Sequence, residues 1–192
     1  MWVLPLGGAG VWYGSRVKFV PLPLAGAFAI DVEPIGDERG SFARTWCERE
    51  FAEHGLSTRF VQANVSSNRR AGTLRGMHWQ REPHAEAKLV RVTAGAIWDV
   101  LVDIRPGSPT YLRHAGLRLD PAGGRMAYVP EGFAHGFVTL VDGTDVAYQM
   151  SEFYAPEAAA GARWDDPAFG IEWPLAPAVI AAKDEAWPPF RP

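Results

Sequence analysis

The chain has 192 residues, 47% hydrophobic and 21% charged, with a formal net charge of -3. That is an ordinary globular composition. It argues against a nucleic-acid binder with a global basic field and against a polybasic membrane-surface protein. The lone cysteine, Cys47, cannot form a disulfide within the chain, so a bridge-stabilised secreted scaffold is set aside as well. Residues 1–15 are apolar, but too short and too interrupted by Gly and Pro to span a bilayer. They also lack the positive start of a signal peptide. They read as an N-terminal extension, with residues 16–192 as one domain and the cytoplasm as its expected location. In chain order, the pattern predicts a helix over 48–54, closed by Gly55 where a left-handed residue is needed. Period-two strands follow, placing Lys88, Val90 and Val92 on one face and Val146, Tyr148 and Met150 on another. Over 96–105, Trp98, Val100, Val102 and Ile104 share a face, which leaves Asp99 and Asp103 on the other. Those two aspartates are expected on an outer or interface face, because the tryptophan and valines claim the core. Turn signals at 105–109, 121–124 and 141–143 separate these runs, and residues from 165 onward read as irregular structure packed on the body. Many short strands at this spacing predict an antiparallel all-β sandwich or barrel.

Two segments resemble the paired motifs of the cupin superfamily, a jelly-roll barrel. GTLRGMHWQ places five residues between Gly72 and His78, and GRMAYVPEGFAH places five between Gly124 and Pro130, followed by Gly132 and His135. In metal-binding cupins the first motif carries two histidines and a glutamate. Here Gln80 stands at the second histidine, and His84 or Ala85 stands at the glutamate. Two imidazoles alone are a poor transition-metal site, so no metal and no cofactor are expected.

A narrower resemblance rests on eight strings in order: GDERGSF (36–42), FVQANVS (60–66), LRGMHWQ (74–80), AKLVRV (87–92), DVLVDIRPGSPT (99–110), VPEGFAHGF (129–137), DDPAFGIEWP (165–174) and AAKD (181–184). Together they resemble the dTDP-4-dehydrorhamnose 3,5-epimerase family over nearly the whole chain. The resemblance implies a cupin jelly roll with short peripheral helices, an N-terminal strand arm and a homodimer. It implies a nucleotide-diphosphate-sugar substrate, with neither nucleic acid nor membrane as partner. It also implies catalytic roles for His78, Asp184, Lys88 and Tyr148, and substrate binding by Arg39, Gln62, Asn64, Arg75, His135 and Lys183.

The chemistry suits these residue types. Inverting a carbon beside a ketone needs a base, a stabiliser for the enolate oxygen and an acid across the ring. Histidine is a base near neutral pH, and a carboxylate on its far nitrogen fixes the tautomer. A lysine on an apolar inward strand face calls for an anion, and the enolate oxygen is one. A buried phenol can return the proton, although packing is the commoner use of a buried tyrosine. Arginine forks suit diphosphate. Arg75 and His78 are three apart, so a regular strand would point them oppositely; a bulge at Gly76 would bring both to one cavity. Arg44 and Ala159 stand where the rhamnose-pathway enzymes carry acidic contacts. That leaves open a CDP- or other nucleotide, a single 3- or 5-epimerase or ketoisomerase, and a non-catalytic sugar-nucleotide-binding cupin. Trp12, Trp46, Trp164, Trp173 and Trp187 read as packing residues, of which one or two could cover the nucleotide base, and the sequence does not choose among them.

Overall fold

The computed structural model describes residues 16–191; the extension read at 1–15, with Trp12, lies outside them. One sheet runs in spatial order β1 (Val17–Pro21), β2 (Phe28–Val32), β10 (Arg125–Val129), β7 (Lys88–Ala94), β12 (Thr144–Met150) and β5 (Gln62–Asn68). Every pairing in it is antiparallel. The second runs β13 (Ala159–Gly161), β6 (Thr73–Gln80), β11 (Phe133–Thr139), β8 (Ile97–Asp103) and β9 (His114–Leu119), and β14 (Val179–Ile180) pairs parallel to β6. A small hairpin, β3 (Ile35–Asp37) with β4 (Gly40–Phe42), stands apart. The strand order, with neighbours distant in sequence, is the cupin-like jelly roll that the motifs imply, and β1 forms the N-terminal arm at a sheet edge.

The inner faces of the two sheets meet in a core that includes Val90, Val92, Val129 and Val146 from one sheet and Ile97, Leu101, Leu119 and Phe137 from the other. Full burial of each such side chain contributes about 1.5–3 kcal/mol. The alternation of Val90 and Val92, and of Val146 with Tyr148, faces this core as the pattern predicts. The outer face of the first sheet is covered by α1 (Glu48–Glu53), whose fully buried Phe51 packs with Ile30, Leu89 and Tyr128. α1 ends one residue before the expected span, and Gly55 takes a φ of +68° just beyond it.

The expectation for β8 is reversed. Asp99 and Asp103 alternate with the core residues Ile97 and Leu101 and are fully buried. Val100 and Val102 face the other way and are buried beneath Phe169, Trp173 and Phe190 of the C-terminal segment. Both faces of the strand are covered, so apolarity alone does not identify the inner one. The inward carboxylates are tolerated because each has a partner: His135 for Asp99 and Arg105 for Asp103. The C-terminal segment is mostly irregular, as expected, and ends near α2 (Ala182–Glu185).

Candidate active site

The jelly roll leaves two adjoining hollows of about 370 and 220 Å³ between its sheets, and His78, Lys88 and Tyr148 line both. His78 lies on β6, directly opposite His135 on β11. Lys88 and Tyr148 belong to the facing sheet. Lys88 is paired with Met150 and Tyr148 with Val90, which makes Lys88 and Tyr148 diagonal neighbours on one strand face. Asn64 and Gln62 stand opposite Tyr148 and Met150 on β5. The imidazole therefore approaches from one sheet, while the ammonium and the phenol approach from the other.

Behind the imidazole, His78 Nε2 lies 2.6 Å from Asp184 Oδ1. The parallel pairing of β14 with β6 brings Asp184 there, because Val179 is registered on Thr73 and α2 begins just beyond. Burial by itself would raise the Asp184 carboxyl. The hydrogen bond and charge of His78, aided by the Gly76 N–H, outweigh it and hold the group below the ordinary carboxylate range. The carboxylate is set to orient the ring and to stabilise a positive charge forming on it.

Arg75 reaches the same cavity. The β6–β11 register slips between His78 and Arg75, and Gly76 has a φ of +135°. A Cβ at Gly76 would sit 2.5 Å from Gly136 Cα, so the irregularity admits glycine alone. This is the bulge expected at Gly76. Arg75 lines the smaller hollow with His78 and His135, and its Nε donates to Asn68 Oδ1 at 2.8 Å.

Lys88 is buried, and its Nζ lies 3.0 Å from Glu86 Oε1. Glu86 was not singled out from the sequence. Its spacing of two from Lys88 on a strand edge was the available signal. Burial pushes the Tyr148 phenol up, against the charge of Arg75 and with that of Glu86, so the phenol holds its proton until an anion needs it. His135 Nε2 lies 2.8 Å from Asp99 Oδ1, a second imidazole–carboxylate pair. Both cupin histidines thus have Nε2 committed to a carboxylate. Gln80, at the lost ligand position, bonds the backbone of His84, Phe153 and Ala155. This donor set does not fit a catalytic metal.

A family model described as dTDP-4-dehydrorhamnose 3,5-epimerase matches residues 21–192. The chain belongs to that family. A dTDP-4-dehydrorhamnose 3,5-epimerase from Methanothermobacter thermautotrophicus is 47% identical over 92% of this chain and 96% of its own length. Among solved structures, the dTDP-4-dehydrorhamnose 3,5-epimerase of Bacillus anthracis, with TDP and PPi bound, superposes with a TM-score of 0.88 at 37% identity, covering 91% of this chain and 100% of that one. A 3'-monoepimerase from Streptomyces bikiniensis, in complex with dTDP-quinovose, superposes with a TM-score of 0.81 at 31% identity, over 88% and 86% of the two chains.

Of the ten site residues that the resemblance to these epimerases implies, the structure gathers nine. Gln62, Asn64, Lys88, Tyr148 and Lys183 line the larger hollow with His78; Arg75 and His135 line the smaller, and Asp184 stands behind His78. Arg39 is placed elsewhere, on the β3–β4 hairpin, where it pairs with Asp37. The two departures from the epimerase pattern are separated in space. Arg44 Nη1 lies 2.7 Å from Glu50 Oε1 of α1, whereas Ala159 lines the larger hollow. Tyr154, which the sequence does not single out, and Trp187, one of the five tryptophans left open for the nucleotide base, also line that hollow. Nothing local in the sequence distinguishes Trp187 from the other tryptophans.

Proposed function

We propose that this chain epimerises a nucleotide-linked 4-keto-6-deoxy hexose, dTDP-4-dehydro-6-deoxyglucose in the first instance, in deoxysugar biosynthesis. His78 removes the proton from a carbon beside the C4 ketone. The electron pair moves onto the ketone oxygen, where the Lys88 ammonium stabilises the enolate. Tyr148 then delivers its hydroxyl proton to the same carbon from the opposite side, and both groups reset by exchange with solvent. Asp184 acts through His78. Arg75, Gln62, Asn64, His135 and Lys183 hold the sugar and diphosphate.

The observation that carries this reading is the opposition of the sheets: the imidazole on one wall, ammonium and phenol on the other, around one cavity. Inversion needs proton removal and return on opposite faces of the ring, and the opposition of these groups supports that reading. The test is incubation of the purified protein with dTDP-4-keto-6-deoxyglucose in deuterated water, followed by NMR. Deuterium at C3 and C5 with inversion at both is expected. Uptake at one carbon makes the chain a monoepimerase. No uptake, with tight binding, makes it a binding module. Running the CDP counterpart in parallel tests the nucleotide, which Arg44 and Ala159 bring into question.

The active form is proposed to be a homodimer in the cytoplasm.

A further inference from the structure

We propose that Trp187 is a positioning residue for the base, its buried indole N–H forming the third link of a chain that runs from Trp187 through Asp184 to His78. The proposal deepens, and rests on, the function proposed above. The indole lies edge-on to the imidazole, with ring centroids 6.3 Å apart and planes at 67°, and it lines the same hollow. Its Nε1 is buried and, among the described residues, meets no hydrogen-bond acceptor at ordinary distance. Native interiors rarely leave such a donor unmatched. Asp184 has the complementary capacity. Its Oδ1 is bonded to His78, while among the described residues Oδ2 receives a long contact of 3.4 Å from the Gly76 N–H.

Two further features show that the chain makes room for this ring. Gly161 is the ladder partner of His78 on β13, and a Cβ there would stand 2.3 Å from Trp187 Cε2. Lys183 places its Nζ 5.4 Å from the centre of the indole, a cation–π distance. The indole already bears on the carboxylate. After burial, which raises the group, and His78 and Gly76, which lower it, Trp187 is the remaining lowering influence on Asp184. Catalytic hydrogen bonds are often long before substrate binds and tighten in the complex. An N–H on Oδ2 draws negative charge from the carboxylate and fixes its rotamer. The imidazole is then oriented without being held too firmly as an imidazolium.

The charged and titratable groups facing His78 are Asp184 and Lys183 from α2, His135 from β11, Lys88 with Glu86 from the β7 side, Tyr148 from β12, Tyr154 beyond it and Arg75 on its own strand. Trp187→Phe leaves all of these in place, keeps a ring against His78 and removes only the N–H. The carboxylate then becomes more basic and holds the protonated base more strongly. The acid limb of the kcat/KM profile is therefore expected to move to higher pH by roughly half a unit. At the optimum, kcat falls roughly fivefold, with KM nearly unchanged. An unmoved limb with a uniform loss of rate would reduce Trp187 to packing and overturn the proposal. Gly161→Ala, which pushes the indole away, should move the limb in the same direction and serves where Trp187→Phe fails to fold.

A second arm needs no turnover. The Trp187 indole N–H resonance, identified by its loss in Trp187→Phe, should shift in Asp184→Asn and move downfield when dTDP is added. A resonance indifferent to Asp184→Asn overturns the link even in an active enzyme. If wild-type protein turns over no keto-sugar nucleotide while the resonance responds, the functional reading fails and the structural link stands.

Discussion

Lys88 shows how one side chain is made costly enough to be informative. It is buried on an inward face beside Val90, and its neighbour Glu86 leaves Oε2 buried with no hydrogen-bond partner among the described residues. A cation held there is preorganised for a negative oxygen, and removing such a donor typically costs about 10²–10³ in kcat. Lys88→Met should therefore lose roughly that factor while near-ultraviolet circular dichroism stays native. A loss below tenfold would take Lys88 out of the chemistry. Tyr148→Phe separates proton removal from proton return. The variant should still wash deuterium into the substrate through His78 while inverted product falls sharply. Unchanged inversion in that variant would assign the acid to another group.

The loop after β8 shows how an element is anchored. Asp103 receives Arg105 Nε at 2.9 Å and Nη2 at 2.8 Å, and the hydroxyls of Ser108 and Thr110 as well; Thr110 Oγ1 in turn accepts Ala25 N–H at 3.0 Å. Burial raises the carboxyl, but the hydrogen bonds of Arg105, Ser108 and Thr110 outweigh it and bring it down to about 2. A pKa depressed on folding confers stability that is full above the unfolded value of 3.8 and is lost as pH falls through about 2. After allowance for the partly exposed Arg105, the contribution is about 1–2 kcal/mol. Urea titrations at pH 7 and pH 2 should show Asp103→Asn less stable than wild type by that amount at pH 7, with the gap largely closed at pH 2. A pH-independent difference would assign the cost to shape instead of charge. The same loop explains why Asp99 and Asp103, although in phase on one strand, are not paired catalytic carboxylates: they serve different partners.

At the scale of the whole molecule, the first sheet is the asymmetric one. α1 and its aromatic neighbours cover part of its outer face, while a hollow on that face is lined by Thr45, Ala63, Val65, Leu89, Arg91 and Ala147. Val65 is 66% exposed on the edge strand β5. An uncovered sheet face and open edges favour self-association, in keeping with the proposed dimer. Sedimentation should give twice the 21.0 kDa chain mass, and Val65→Asp should shift the protein toward the monomer. A wild-type monomer at micromolar concentration would remove the dimer.

Much of this was written locally. Period-two spacing put Lys88 with Val90 and Tyr148 with Val146, because successive strand side chains alternate whatever surrounds them. Gly76 between Arg75 and His78 announced the register slip, since only a bulge reconciles their spacing. The motif strings carried the family and most of the candidate site. The tertiary structure decided what depends on distant chain. It chose the inward face of β8, because the C-terminal segment supplies a second apolar cover and His135 and Arg105 give the buried carboxylates hydrogen-bond partners. It also set Trp187 apart from the other tryptophans by laying it against His78, and it left Arg39 outside its own cavity. Side-chain alternation is a property of the backbone, but which face counts as interior is a property of whatever packs on it, and that is specified far away in the sequence.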